Sequence, residues 1–305
     1  MRIAYIILAH KLPEQLVRLV CKLNTEGDSF LIHVDKKANQ ETYKKMSEPL
    51  NAFKNVWFLK RHTRYYGDYN HVGATLEGIH EIIASRIRFD YVILLTGQDY
   101  PIKPNEYIHQ FLEVSGGKSF MEYFPLPSNE HWKDENGGLD RVNYWHFNFF
   151  ARSLAFPKKG RFKKSFLDPI WSALSENFPP RRRIPLNYKL FGGSAYWCLS
   201  RECIEYLDKF VQENARFVRF FRHVLIPEES FFQTILLNSP FADRVVNDNL
   251  RYIDWSISRH PEILHIPDLE KLAQTHCLIA RKFDISLDPD ILNRMDQVAL
   301  SVRDL

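Results

Sequence analysis

Short apolar runs alternate with longer amphipathic segments along the first hundred residues of the chain. Apolar runs of this kind predict buried strands at Ile3–Ala9 and at residues 30–34, 56–59 and 91–95. Leu and Val recur at helical spacing in Pro13–Leu23, and a second helix is predicted from Asn70 onward. The resulting order of strands and helices predicts an α/β fold with a mainly parallel central sheet and helices on both faces.

The second half of the chain is predicted to be less regular. Residues 125–190 are rich in proline, asparagine and basic residues, which predicts a long irregular basic insertion. After it we expect a strand at residues 193–200, a helix opened by Pro227, and extended segments at 251–255 and 263–266.

The C-terminal segment, residues 268–305, is predicted to be helical. One helix begins at Asp268 and carries Leu269, Leu272, Ala273, Cys277 and Ala280 on one face; the last helix begins at Asp288-Pro289. No linker composition separates any part of the chain, so residues 1–305 are predicted to form a single domain.

Polar residues follow three of the predicted strands. His10 comes after the first strand, Asp35 after the second, and Asp99 lies in the turn after the fourth. Ligands of open parallel sheets bind at the carboxyl ends of the strands. Since Asp is also a common turn-forming residue, Asp99 has a structural alternative.

Composition excludes several classes of protein. With 45% hydrophobic and 26% charged residues, the chain is neither largely disordered nor a disulfide-dense scaffold. The 14% of aromatic residues is high; a large core accounts for some of them, and sugar-binding clefts and interfaces also favour aromatic rings. The net charge of +4 is too small to indicate nucleic acid; a nucleic-acid binder using residues 158–164 and 181–183 is a less favoured alternative.

Cysteine use and the N-terminus predict a cytoplasmic protein. None of Cys21, Cys198, Cys203 and Cys277 forms a CxxC pair or a metal-ligand spacing, and buried reduced thiols are expected. The apolar run at 3–9 is too short to span a bilayer, and no cleavage site of a signal peptide follows it.

Two pairs of charged residues are candidates for chemistry. Glu228 and Glu229 follow Pro227, where a carboxylate on a rigid element suits a general base, but acids are also favoured in a first helical turn by about 0.3–1 kcal/mol. Arg281 and Lys282 are suited to bind a phosphate, or simply to end a predicted helix. The residues alone leave both questions open.

Several familiar motifs are absent. The chain has no GxGxxG, P-loop, HExxH or GxSxG, which lowers the dinucleotide, phosphoryl-transfer, zinc-protease and serine-hydrolase interpretations. The Asp-x-Asp at Asp288-Pro289-Asp290 is better explained as a helix cap than as a metal site.

Seven segments in order resemble one family, the core-2/I-branching β-1,6-N-acetylglucosaminyltransferases and the related peptide O-xylosyltransferases. The resemblance covers residues 2–284. The segments are ILAHK (7–11), IHVDKK (32–37), LTGQDYPIK (95–103), GSAY (193–196), PEESFF (227–232), RYIDW (251–255) and ARKFD (280–284). The chain lacks the anchor and disulfides of the animal members and has Tyr66-Gly67 where the family often has Trp-Gly. We therefore expect a bacterial-type member that acts on a surface polysaccharide or glycolipid.

The resemblance implies an inverting glycosyltransferase with a GT-A-like nucleotide-sugar-binding fold. It would transfer a sugar, N-acetylglucosamine or xylose, from a UDP-sugar to a hydroxyl of a glycan, glycolipid or glycoconjugate acceptor, without a metal cofactor. By the Pro-acid-Glu pattern the catalytic base falls on Glu229, and the diphosphate falls on Lys282 with Arg281 and Arg259.

The resemblance and the strand ends together nominate the remaining site residues. Donor-binding candidates are His10, Asp35 and Asp99. Acceptor-binding candidates are Arg141, Tyr144, Trp145, Ser194, Tyr196 and Trp255. The alternative, a non-catalytic carbohydrate-binding or scaffold protein, predicts that Glu229 or Lys282 has been lost, and both are present.

Residues 158–174 are a candidate for contact with a membrane surface. Their aromatic and apolar residues recur near helical spacing beside four lysines, which suits a helix at an anionic membrane surface. A lid over the acceptor cleft is the alternative, and Pro169 favours a short or broken helix. A protein of this kind would be cytoplasmic, with peripheral contact to the inner face of the membrane.

Overall fold

A computed structural model describes residues 1–65, 67–149, 152–156, 182–256 and 260–301 of the chain. Two predictions lie outside the described residues: the membrane or lid helix at 158–174, and Arg259 as a donor-binding residue.

The described residues form an α/β structure. The strands are β1 (Ile3–Ala9), β2 (Ser29–Val34), β3 (Val56–Phe58), β4 (Tyr91–Thr96), β5 (Asp99–Pro101), β6 (Ser119–Met121), β7 (Phe124–Pro125), β8 (Trp145–Phe149), β9 (Arg152–Phe156), β10 (Phe191–Gly192), β11 (Trp197–Ser200), β12 (Val245–Val246), β13 (Arg251–Ile253) and β14 (Ile279–Arg281). The α-helices are α1 (Pro13–Leu23), α2 (Gln40–Leu50), α3 (Asn70–Ala84), α4 (Asn105–Val114), α5 (Leu139–Asn143), α6 (Arg201–Glu213), α7 (Ala215–Phe221), α8 (Phe231–Leu236), α9 (Leu269–Gln274) and α10 (Pro289–Ser301).

The central sheet has the order β12-β6-β11-β4-β1-β2-β3. Strands β3, β2, β1 and β4 are parallel, β11 runs antiparallel between β4 and β6, and β12 is parallel to β6. This confirms the predicted mainly parallel sheet. A smaller sheet, β13-β14-β5, packs beside the central one and carries several of the candidate residues.

Both faces of the central sheet are covered by helices, as predicted. Side chains of β1 alternate between two apolar clusters, with Tyr5 and Ile7 on one side and Ile6 and Leu8 on the other. Helices α1, α2, α4 and α10 contribute to the first cluster, whereas α3, α6, α7 and α8 contribute to the second. Helix α3 lies so close to β1 that a Cβ at Gly78 would be 3.0 Å from the Ile6 side chain, and a larger residue there would require Ile6 to shift by a few tenths of an ångström.

The strand order reverses between β1 and β4, the place where open parallel sheets generally bind ligands. From β1 the chain proceeds outward to β2 and β3 and then returns to β4 on the opposite side of β1. Such a reversal opens a crevice beyond the carboxyl ends of the two strands. Gly97, directly after β4, donates its amide to the Leu8 carbonyl at 3.1 Å and brings the two strand ends together.

Several predicted boundaries agree with the structure and others do not. The bounds of β1 and α1 are those predicted, and α10 begins at Pro289 with its first amides bonded to the Asp288 carboxylate, which is the predicted helix cap. Pro227 opens only a 3-10 turn, Pro227–Glu229, and the α-helix begins two residues later. The extended segment predicted at 263–266 forms no strand.

The predicted C-terminal helix from Asp268 differs most. Helix α9 ends at Gln274, and the chain then enters β14, which pairs with β13 on one side and β5 on the other. The apolar residues at 277–280 are buried in that sheet, and a short apolar run does not reveal whether it lies on a helix or a strand.

The region 125–190, predicted to be an irregular basic insertion, is described only in part. Its described part contains α5 and the antiparallel pair β8 and β9. Cysteines 198, 203 and 277 are buried free thiols as expected, but Cys21 is exposed on α1, so that expectation was wrong. No helix within the described ranges is both long and apolar enough to cross a bilayer.

Candidate active site

Glu229 and Arg141 form the centre of the site. Glu229 lies in the 3-10 turn before α8, and its Oε2 is 2.6 Å from Nη1 of Arg141 on α5. Arg141 also donates from Nε to Glu135, and its guanidinium lies 3.9 Å from the centre of the Trp132 ring. The contacts with Glu135 and Trp132 fix the position of the Arg141 guanidinium, which in turn orients the Glu229 carboxylate.

The Glu229 carboxylate remains reachable. Its side chain is 32% exposed, whereas that of Arg141 is 11% exposed. Withdrawal from water raises the pKa of Glu229 above its ordinary value, and the Arg141 charge opposes this. Its backbone carbonyl accepts the Gly193 amide at 2.9 Å, which ties the turn to the GSAY segment. A reachable carboxylate with a raised pKa suits proton abstraction.

A second cluster surrounds Asp99. Its carboxylate is fully buried and accepts hydrogen bonds from the Thr96 amide at 2.7 Å and from Arg251 Nη1 at 2.8 Å. Arg281 Nε lies 3.4 Å from the other oxygen. The guanidinium groups of Arg251 and Arg281 each lie 4.5 Å from the centre of the Tyr196 ring. The buried Asp99 carboxylate therefore holds the guanidinium groups of Arg251 and Arg281 in place.

Cations gather at the carboxyl end of β1. Burial and the charges of Arg64 and Lys11 lower the pKa of His10, and Lys282 contributes to the same effect. Burial, Lys11 and Arg281 lower the pKa of Lys282. Lys11 is paired with Asp284 at 2.9 Å, but no ion pair of Lys282 occurs within the described part of the chain. The excess of positive charge fits an anionic ligand.

Asp35 lies at the neighbouring strand end and is 4% exposed. One of its oxygens accepts the Lys37 amide at 2.9 Å, and the other lies 3.8 Å from Arg64 Nε. Asp35 thus joins His10 beside the cations, as the strand-end argument expects.

The residues predicted to bind the acceptor do not form one cluster in the structure. Trp145 packs against Phe147 and His223 and lies under the guanidinium of Arg182, which also donates to the Tyr144 carbonyl at 3.3 Å. Ser194 Oγ accepts the Tyr196 amide, and Tyr196 is buried against the two arginines. Trp255 is 54% exposed, and no hydrogen bond, ion pair or ring contact among described residues joins it to Glu229.

A cleft of about 600 Å³ adjoins the Trp145 region. It is bounded by the start of α3 and by the segments around His146 and His223. The residues that line it include Tyr65, Tyr69, Phe147 and Arg222. Aromatic rings with a few polar groups are typical of a sugar-binding cleft.

Three residues of this region were missed by the sequence argument: Arg64, His71 and Glu135. Arg251 was named only as part of the segment 251–255, and its ion pair with Asp99 was not predicted. Arg64 and His71 come from the loop before α3 and from α3 itself, and no motif marks them. Glu135 lies six residues before Arg141, a spacing with no meaning until both are placed in the fold. Within the described residues, no group of three or more His, Cys, Asp or Glu is arranged to hold a metal ion.

Comparison with known proteins agrees with the resemblance found in the motifs. The profile described as Core-2/I-Branching enzyme matches residues 3–273. Xylosyltransferase 2 of Rattus norvegicus is 27% identical over 319 aligned positions, and human Xylosyltransferase 1 is 25% identical over 319, each covering 97% of this chain. The chain spans about a third of the length of these relatives, 33% and 30%.

One solved structure shares only a weak likeness. The 4-diphosphocytidyl-2C-methyl-D-erythritol synthase of Anaerococcus prevotii overlaps 72% of this chain and 82% of its own, with a TM-score of 0.32 and 10% identity, which carries no argument. The family profile covers most of the chain and includes the segments that hold Asp99, Arg141, Glu229 and Arg251. The chain therefore belongs to the Core-2/I-Branching enzyme family.

Proposed function

We propose that the protein is an inverting glycosyltransferase that uses a UDP-sugar without a metal ion. The observation that carries the proposal is the Glu229 carboxylate, which lies 2.6 Å from Arg141 and is still reachable. Cations lie at the strand ends of the same fold, and among them Lys282 has no ion-pair partner in the described ranges. Family membership and the xylosyltransferase relatives support transfer of a sugar.

Glu229 acts as the general base. The acceptor hydroxyl attacks the anomeric carbon of the donor while Glu229 takes its proton, and the bond from that carbon to the UDP oxygen breaks. Attack from the side opposite to UDP inverts the anomeric carbon and gives a β-linkage from an α-linked donor. The raised pKa of Glu229 brings the base closer to the pH at which it works, which increases its driving force for proton transfer.

Lys282 and Arg281 stabilise the leaving UDP. The diphosphate gains negative charge as the glycosidic bond breaks, and fixed cations placed at that charge lower the barrier. Lys282 has no ion-paired carboxylate within the described residues, so its charge is available to a ligand. Arg281 is held by Asp99 and Tyr196, so it costs little further ordering when the diphosphate binds.

His10 and Asp35 line the nucleotide end of the crevice, and Arg141, Tyr144 and Trp145 face the acceptor. The acceptor is a hydroxyl-bearing glycan, glycolipid or glycoconjugate. The transferred sugar is xylose or N-acetylglucosamine, and the names of the relatives favour xylose.

A binding screen tests the proposal. The protein is titrated with UDP, UDP-xylose, UDP-N-acetylglucosamine, UDP-glucose and UDP-galactose in EDTA, and the melting temperature is recorded at each concentration. A bound nucleotide raises the melting temperature by mass action. We expect a rise with UDP and at least one UDP-sugar, and release of UDP when an acceptor is added. No shift with any nucleotide, with or without manganese, would overturn the proposal.

A further inference from the structure

Glu228 is adjacent to the proposed base but faces a different group of residues. Its carboxylate is buried, and Oε1 lies 3.5 Å from Nδ1 of His71 on α3. Glu229, in the same 3-10 turn, points instead to Arg141. The two adjacent carboxylates of this turn therefore contact different residues. The Glu228 carboxylate has no role in the mechanism proposed above.

The residues around Glu228 contain buried polar atoms that form no hydrogen bond, although Arg64 Nε lies 3.8 Å from an Asp35 oxygen. Among described residues, Glu228 Oε2, His71 Nε2 and Arg64 Nε are buried and form no hydrogen bond. An unsatisfied buried polar group costs about 1–3 kcal/mol, so a polar ligand that bonded to both Glu228 Oε2 and His71 Nε2 would remove part of that cost. With the His71 proton on Nδ1, facing Glu228, Nε2 is an acceptor, whereas Arg64 Nε is a donor.

The charges that face this group determine its protonation. Burial raises the pKa of Glu228 to about 8, with Glu229 and Asp68 adding to the rise and Arg64 opposing it. Burial and the charges of Arg64, Arg281 and His33 lower the pKa of His71 to about 3. Both groups are therefore uncharged near neutral pH.

We propose, resting on the glycosyltransferase function above, that Glu228, His71 and Arg64 form a closed subsite that binds an uncharged polar group, a hydroxyl or amide, of the donor sugar. Protonated Glu228 donates from Oε2, His71 Nε2 accepts, and Arg64 Nε donates. A sugar hydroxyl both donates and accepts, so it can satisfy a neighbouring donor and acceptor together.

The sugar, rather than the nucleotide, is the part of the donor that this subsite fits. A general base must lie within hydrogen-bond reach of the hydroxyl that attacks the anomeric carbon, so the turn bearing Glu229 lies beside the sugar ring. Glu228 is in that same turn. Arg64 Nε also lies 3.8 Å from Asp35, so the same side chain reaches the strand end proposed to bind the nucleotide.

The test separates binding of the sugar from binding of the nucleotide. Affinities for UDP, UDP-xylose and UDP-N-acetylglucosamine are measured by calorimetry for the wild type, Glu228→Leu and Glu228→Gln. Glu202→Gln serves as the matched control, since Glu202 pairs with Arg244 on the surface. Glu228→Leu should weaken binding of the UDP-sugar about tenfold and leave UDP within about twofold. Glu228→Gln, whose amide still donates, should keep the UDP-sugar affinity within about threefold.

A pH series gives an independent result. Wild-type affinity for the UDP-sugar should fall between pH 7 and 9.5 as Glu228 loses its proton, whereas Glu228→Gln should remain flat. If Glu228→Leu does not fold, the pH profiles of the wild type and Glu228→Gln test the subsite without it. Equal losses for UDP and UDP-sugar in Glu228→Leu, loss of UDP-sugar affinity in Glu228→Gln, or a flat wild-type profile would overturn the subsite. Failure of the wild type to bind UDP at all would instead remove the proposed function, and the subsite with it.

Discussion

Replacement of Glu229 by glutamine is expected to lower the rate of sugar transfer about 10²–10⁴-fold, the range that a positioned general base contributes. The amide keeps the shape of the side chain but cannot accept the proton of the acceptor hydroxyl. Affinity for UDP should stay within about twofold, because the cations proposed to hold the diphosphate, Arg281 and Lys282, belong to a different segment of the chain.

The structure predicts that this variant still folds. Loss of one partner of a buried ion pair costs about 3–5 kcal/mol when the remaining charge is left alone. Arg141 is not left alone, since it keeps its hydrogen bond to Glu135 and its contact with the Trp132 ring. The expected loss in the free energy of unfolding is therefore about 1.5–3 kcal/mol, the value of one charge-assisted hydrogen bond, and the melting temperature should fall by a few degrees.

The assay is release of UDP from the UDP-sugar identified by the binding screen, measured as a function of pH. Wild-type turnover should rise with pH as Glu229 loses its proton, and because its pKa is raised this rise should occur above the ordinary glutamate value of 4.5. The residual rate of Glu229→Gln should lack that rise, while Glu202→Gln should behave as the wild type. Wild-type turnover in Glu229→Gln, with Glu228→Gln inactive, would refute the assignment of the base.

Four further predictions address the metal, the cations and the buried acids. Activity should survive EDTA, and Lys282→Ala should weaken UDP binding by about 1.5–3 kcal/mol, roughly 10–150-fold; full inactivation by EDTA that manganese restores would contradict this. Asp99→Asn should reduce the free energy of unfolding in urea by about 3–5 kcal/mol, because Arg251 is 1% exposed and loses its carboxylate; a loss below about 1 kcal/mol would show that Arg251 needs no such partner. Glu228→Gln should become progressively more stable than the wild type as pH rises from about 4.5 to about 8, because the folded protein then holds a proton that the unfolded chain has released. Parallel melting curves of the two proteins across that range would count against a protonated Glu228.

The regular elements were predictable where local patterns are strong. The bounds of β1 and α1 agree with the prediction, since a continuous apolar run and a 3.6-residue period are local signals. The segment 277–281 was not predictable in the same way. Its apolar residues suit a helix face equally well, and only pairing with β13 and β5, distant in sequence, makes it a strand.

For the candidate site too, local sequence motifs were informative and long-range contacts were not predictable. Motifs in one sequence identified Glu229, Lys282 and Arg281, because each lies in a short segment whose residue types resemble one family. The contacts of the site residues could not be predicted from the sequence, because the partners are far apart in the chain. Arg141 lies 88 positions from Glu229, and Asp99 lies 152 positions from Arg251.

The sequence by itself determined the α/β class, the family and the acids and cations worth testing, since periodicity and motif order are carried by neighbouring residues. Only the tertiary structure decided which of two adjacent glutamates faces Arg141 and which is buried beside His71. It also showed that Asp99 is enclosed with two arginines. The physical reason is that burial and charge pairing set the protonation and reach of a side chain, and both depend on residues brought together from distant parts of the chain.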